Sequence, residues 1–184
     1  MANNVTTHIT FENLSPKAKD FLASLSEKRK EDEYCYMIPL YGMDVNDDKA
    51  NYDWFCENIG AKWMYLEDVD MDIGYMNCVS AWSAPVPFMD RLYEYLVSLD
   101  SPDLILWATI EDEMPNFVGV YGRHGEDSYQ DEIVEDFYQE EIGDVPFIAD
   151  GEDDFEFNDN WPEAVSTWSD NHYSLFLNEI KTNG

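Results

Sequence analysis

The sequence is poor in positive charge: 10 Lys and Arg stand against 40 Asp and Glu in 184 residues, for a net charge of −30. A domain that binds nucleic acid directly needs a basic footprint to neutralise phosphates. The nearest approach to one is "KRK" at Lys28–Lys30, and "EDE" cancels its field at once. Direct nucleic-acid binding is therefore not expected. Cysteine is scarce as well: Cys35, Cys56 and Cys78 are widely spaced, form no Cys-x-x-Cys pair, and are not flanked by His8, His124 or His172. They read as free thiols in a reducing compartment, not as a disulfide framework or a zinc site. Long apolar runs are missing, far short of the roughly 20 residues that cross a bilayer. No basic-then-apolar leader opens the chain, so the expectation is a soluble, cytoplasmic protein with no membrane partner. The nine glycines are scattered, and "GVYGRHG" (119–125) lacks the Lys-Ser/Thr ending of a phosphate loop. There is no Gly-x-Ser-x-Gly, and Ser80 and Ser83 have no sequence-local histidine. No enzyme activity and no cofactor is expected.

The chain is rich in core material, with 45% hydrophobic and 15% aromatic residues, which argues against wholesale disorder. Val5 to Phe11 alternates polar and apolar and predicts a strand. Ser15 and Pro16 then give an N-cap and first helical position, with Ala18, Phe21, Leu22 and Leu25 on one face. Residues 31–53 are turn-rich and acidic and read as an insertion. Two strand-like runs follow at about 61–69 and 73–82. "PFMDRLYEYLVSL" is an amphipathic helix, and "LILWATIEDE" and "NFVGVYG" are two β runs joined by a Met-Pro-Asn turn. This order predicts an α+β fold, a ferredoxin-like split βαβ antiparallel sheet with two helices on one face. Its extent is residues 1–122. Residues 123–184 form an acidic mixed extension packed on it: a helix at 128–141, an extended piece around 145–158 and a closing helix near 172–181. Trp54, Trp63, Trp82 and Trp107 fall on core-facing periodicity, and His8 on the first strand reads as structural.

Four segments in order, "MANNVTTHITF", "ENIGAKWMY", "AWSAPVPFMDRLYEYL" and "NFVGVYG", resemble the YubB-type ferredoxin-like domain of plasmid and phage proteins. The matching positions are Asn58–Trp63, Ala81–Pro85 and Phe117–Gly119. The departures are Ile59 for a Trp, Ala61 for a Thr, Ala84 for a Pro, and Ala2 for an N-terminal Pro. The resemblance covers roughly residues 1–122 and implies an α+β fold and an origin on a mobile element, hence a bacterial host cell. It brings no catalytic residue with it, and fold likeness alone does not give function.

Calcium chemistry fails on spacing. "DVDMDIG" (68–74) opens like an EF-hand loop but puts Ile73 where Gly is required and Val79 where the bidentate Glu belongs. What remains is the acidic surface. Residues 126–184 hold 18 Asp and Glu and a single basic residue, Lys181. A plain solubilising tail has no need of Phe137, Phe147, Phe155, Phe157, Trp161 and Trp168. Those residues suggest that the segment folds and holds its carboxylates in place, as a duplex holds its phosphates. On a helix at 128–141, Asp127, Asp131 and Glu135 form one i,i+4 row and Glu132, Asp136 and Glu140 another, despite the cost of like charges at that spacing. The candidate partner-binding residues are these six with Glu141, Asp144, Glu152, Asp153, Asp154, Glu156 and Asp159. The expected partner is a basic host nucleic-acid-binding protein, in a restriction, CRISPR or repair pathway, blocked by a DNA mimic. Two alternatives stay open. One is a small-ligand or hydrolytic domain using Arg123 and His124, whose acidic surface is only solubilising. The other is an adaptor that docks through an exposed apolar patch.

Overall fold

The structure is a computed structural model that describes residues 3–70, 74–113, 116–149 and 155–183. Its centre is a six-stranded antiparallel sheet built from β1 (Asn4–Glu12), β2 (Met64–Asp70), β3 (Tyr75–Ala81), β4 (Ile105–Asp112), β5 (Phe117–His124) and β6 (Asp127–Val134). The strands lie in the order β2-β3-β1-β4-β5-β6. The links from β1 to β2 and from β3 to β4 run through helices: α1 (Pro16–Lys28), α2 (Met37–Tyr41) and α3 (Tyr52–Asn58) in the first, α4 (Val86–Ser98) in the second. The fold is therefore α+β. Alternation decides which side chains face which layer: Val5, Ile9 and Phe11 of β1 are buried on the face that these helices cover. Local chemistry sets the helix starts. The Ser15 hydroxyl accepts from the Ala18 N–H at 3.1 Å beside Pro16, and Asn51 caps α3 through the Trp54 N–H at 3.1 Å.

The segment read as an insertion contributes to this first core. Cys35, Tyr36, Met37 and Leu40 are all buried, and the Tyr36 hydroxyl donates to the Met64 carbonyl at 2.8 Å. A polar hydroxyl can lie this deep because its one donor is satisfied.

The sheet has a second core on its other face. Ile105, Trp107, Val118, Val120 and Ile133 meet Val165, Trp168 and Phe176 of a long closing helix, α6 (Trp161–Asn183), with Tyr138 and Trp161 beside them. Trp107 is 6% exposed, its ring lies 5.8 Å from that of Phe176 and 5.2 Å from that of Tyr173, and its Nε1–H donates to the Ser169 hydroxyl at 3.1 Å. Between the last strand and α6 come a 3₁₀ turn (Glu135–Phe137), a short helix α5 (Tyr138–Glu141), and a two-stranded hairpin of β7 (Phe147–Ala149) and β8 (Phe155–Phe157).

Three sequence expectations are corrected here. The helix expected at 128–141 is a strand up to Val134. Tyr129 and Ile133 are four apart, a spacing that fits a strand face as well as a helix face, and pairing decides. All eight residues of β6 register against Phe117–His124. The turn is Gly125–Glu126, with Gly125 at φ +57°, a glycine-first two-residue hairpin. The closing helix starts at Trp161, well before 172, with Pro162 in its first turn, where a missing N–H costs nothing. Trp82 is not in the core: it is 64% exposed at φ +74°, turned outward just past the end of β3, with the Lys62 ammonium 5.9 Å from its ring.

At Gly122 of β5 a ring from α6 comes close against the sheet. A Cβ there would stand 2.9 Å from two Trp107 ring carbons and 3.0 Å from Phe176. Gly122→Ala is expected to destabilise the protein by about 1–3 kcal/mol through overpacking, read from the urea midpoint. An unchanged midpoint would mean that α6 does not press on the sheet at this point.

Candidate functional site

The acidic residues form a ledge along the β6 edge and the turns that follow it. On β6 the side chains alternate. Asp127, Tyr129, Asp131 and Ile133 lean toward α6, and Glu132 points away, fully in solvent. Asp131 lies 3.6 Å from His172, whose Nδ1 also meets the Tyr129 hydroxyl at 2.6 Å. The helical rows therefore do not exist: Asp127 and Asp131 share a strand face from which Glu132 is excluded. Beyond the strand, Glu135, Asp136, Glu140 and Glu141 are exposed on the 3₁₀ turn and α5, and Glu156 and Asp159 are exposed on β8 and just after it. Asp144 has a structural role. Its Oδ1 accepts from its neighbour Val145 N–H at 2.9 Å and from Asn158 Nδ2 at 2.6 Å, tying the hairpin to the start of α6. Glu152, Asp153 and Asp154 lie outside the described residues. The lysine and arginine ion pairs resolved among the described residues engage Glu27, Asp68, Asp90, Glu94 and Asp100, all before the ledge begins. None of these ion pairs engages Glu132, Glu135, Asp136, Glu140 or Glu141.

The negative field converges on Tyr138. Burial raises its phenol above the ordinary range, and the fields of Asp112, Glu135, Glu132 and Glu111 raise it further. The ledge also carries apolar side chains in the open: Val134, Phe137, Phe147, Ile148 and Phe157 are each 43–51% exposed. The rings of Phe147 and Phe157 meet edge-on at 6.0 Å. Phe147 stands between two hollows. One, of about 640 Å³, is bounded by Glu135, Asp136, Tyr138, Val145 and Pro146. The other, of about 310 Å³, runs under the hairpin to Thr6, His8 and Glu111 on the sheet.

That second hollow lies where α6 leaves β1 uncovered. His8 Nδ1 meets the Tyr75 hydroxyl at 2.8 Å, and its Nε2 is 3.9 Å from Glu111. Burial holds the Glu111 carboxyl above its ordinary range, and His8 pulls it partly back. Asp112 is 6% exposed. One of its oxygens takes the amides of Asn3 and Asn116 at 2.7 and 2.5 Å, and the other, buried, has no donor. The sequence signal for this group was only the triplet Glu111–Asp112–Glu113. His8 lies about 100 residues away in the chain, and only the pairing of β1 with β4 brings them together.

Compared with known proteins, the chain matches no family model, no curated protein and no solved structure. The site must therefore be read from its own chemistry. Arg123 and His124 are both engaged by partners within the fold. Arg123 donates to Asp90 at 3.0 Å and lies over the Tyr93 ring at 5.4 Å, and His124 meets the Leu104 carbonyl at 3.0 Å. Among the described residues, no group of three or more His, Cys, Asp or Glu converges to hold a metal ion, and no helix is long and apolar enough to cross a membrane. Burial pushes the Cys35 thiol up to about 11 and that of Cys78 up to about 12, so neither is a thiolate at neutral pH. Cys56 is exposed.

Two measurements follow from this chemistry. Titration with a thiol reagent at pH 7.5 is expected to find one fast thiol, abolished by Cys56→Ser, and three in denaturant; a second fast thiol in the native protein would contradict the burial of Cys35 and Cys78. Glu111 has a raised pKa, so the fold favours its neutral form, and its contribution to stability falls as pH rises through that pKa. Glu111→Gln is therefore expected to melt a few degrees above the wild type at pH 8, with the gap closing toward pH 4. A gap independent of pH would show that Glu111 titrates as it does in the unfolded chain.

Proposed function

We propose that this is a non-enzymatic accessory protein of a phage or plasmid that occupies the basic groove of a host nucleic-acid-binding protein and blocks it, as a DNA mimic of the anti-restriction or anti-CRISPR type. The single observation that carries this reading is the ledge: Glu132, Glu135, Asp136, Glu140 and Glu141 exposed on folded elements and engaged by none of the lysine and arginine ion pairs resolved among the described residues. A basic groove offers those carboxylates the same neutralisation that it offers phosphates. Fixed charges of one sign also steer association, which then weakens as salt screens them. The exposed Phe137, Phe147 and Phe157 among the carboxylates give such a surface apolar contact that a free acidic tail would lack.

The reading extends to the frame. We take the order β2-β3-β1-β4, with α1 and α4 in its two crossovers, as a ferredoxin-like split βαβ unit of the YubB type to which β5 and β6 are added at one edge. The helical crossovers and the antiparallel register support this. On this reading, the resemblance to a mobile-element family goes with a role against host machinery.

The test is a salt-graded capture from a bacterial lysate. Basic nucleic-acid-binding proteins should be retained, with retention falling about tenfold or more between about 50 mM and 200 mM salt. The fourfold variant Glu132→Lys, Glu135→Lys, Asp136→Lys, Glu140→Lys, checked for fold by circular dichroism, should retain none of them. Salt-indifferent capture, or capture intact in the variant, refutes the reading.

A further inference from the structure

We propose that the smaller hollow, between the β1–β4 face and the β7–β8 hairpin, seats an arginine side chain of the basic partner. This rests on the function proposed above and adds a defined pocket to its diffuse charge. The hollow has a volume of about 310 Å³, and its upper wall is aromatic: Phe147, Phe157 and Trp161. Its floor is acidic, with Glu111, Asp112 and Glu113 in succession along the end of β4. Carboxylates under aromatic faces are the combination that takes an organic cation, since ring faces attract positive charge and the carboxylates neutralise it.

Three further observations make the hollow more than an acidic cluster. Asp112 is 6% exposed and keeps one buried carboxylate oxygen without a donor. Glu111 is partly desolvated, with the His8 ring 3.9 Å away. A cation entering here finds in Glu111 a carboxylate that none of the lysine and arginine ion pairs resolved among the described residues engages. The start of α6 would normally favour an anion, but two of its first-turn donors are used within the chain and one is absent. The Trp161 N–H donates to the Asn158 carbonyl at 2.9 Å, Pro162 has none, and the Ala164 N–H donates to the Asn160 carbonyl at 3.0 Å. Glu163 adds a carboxylate to the same turn.

Between the two basic side chains, the shape favours arginine. A guanidinium is flat, stacks against aromatic rings, and presents several donors in a fixed fork that can meet two carboxylates at once. An ammonium is a compact, strongly hydrated point charge that gains less from the rings. The exposed rims at Phe147 and Phe157, 45% and 49% exposed, leave the mouth open to a side chain arriving from a partner's surface.

The experiment is an NMR titration of the full chain with the capped peptide acetyl-Gly-Arg-Gly-amide, its lysine counterpart, and its uncharged citrulline counterpart, at about 150 mM salt to suppress long-range attraction. The arginine peptide is expected to give saturable shifts at Trp161, Phe147 and His8. Binding should be about tenfold weaker for lysine and weaker still for citrulline. Phe157→Ala and Glu111→Gln should each weaken the arginine peptide about tenfold; the second is nearly isosteric and keeps the fold. Equal binding of citrulline, shifts spread evenly over Glu132, Glu140 and Glu163, or variants that bind like the wild type would each overturn the proposal. Loss of peptide binding with salt-sensitive capture intact overturns the arginine seat alone. Peptide binding with capture indifferent to salt overturns the phosphate-mimic reading and leaves the seat standing.

Discussion

The burial of Trp107 on the second face of the sheet is the contact on which the rest of the acidic third depends. A strongly acidic segment repels itself, and among the described residues the resolved lysine and arginine ion pairs all engage carboxylates outside it. Apolar contact must therefore do the holding. Trp107 supplies a large ring for it, and Gly122 lets Phe176 approach that ring. Each large side chain removed from water in this second core contributes about 1.5–3 kcal/mol. Pair repulsion between exposed carboxylates is worth only tenths of a kcal/mol each. The apolar term wins comfortably, so the charges can be carried on fixed elements.

The same arrangement explains where the charges sit. The sheet is covered on both faces along β4 and β5, so carboxylates are excluded from the middle strands except at their ends, where Glu111 and Asp112 are found. They collect at the β6 edge and in the turns beyond it, where the carboxylates stay in reach of water. An edge strand is also a place where charge is useful, because it discourages another chain from adding to the sheet. Edge protection needs one or two charges, however, and the ledge carries them past the strand onto the 3₁₀ turn, α5 and β8. Charge that continues onto the 3₁₀ turn and α5, where there is no strand edge to guard, requires another reason.

Much of the frame was legible in the sequence because it is written in local chemistry. Ser15–Pro16 marked the start of α1, alternation marked β1, and the apolar face of "PFMDRLYEYLVSL" marked α4. The errors share one physical cause. Tyr129 and Ile133 obey helix and strand periodicity equally, and only the free edge of β5 selects the strand. The start of α6 was hidden because its first turn buries Trp161 and Val165 against a sheet face that the sequence does not announce. The acidic character of the site was plain from composition, but its geometry was not. The Glu111–His8–Tyr75 cluster is assembled by strand pairing across the whole first half of the chain, and no local pattern encodes that.

Rigid carboxylates and a pocket affect binding in different ways. Spread charge acts at a distance: it raises the rate of encounter, loses its effect in salt, and tolerates many arrangements of cations on the partner. A desolvated hollow acts only on contact and governs how long the complex lasts, which is where most affinity differences between related complexes lie. A disordered acidic tail could provide the first effect alone, and it would lose conformational freedom on docking. Folding the tail into a sixth strand, a hairpin and a helix removes that entropy before the partner arrives. It also brings Phe147 and Phe157 over Glu111, which no tail could do. Under the proposed function the second core belongs to the binding surface in a physical sense: without the contact of α6 on Trp107, the carboxylates would remain, but the hollow beside them would not exist.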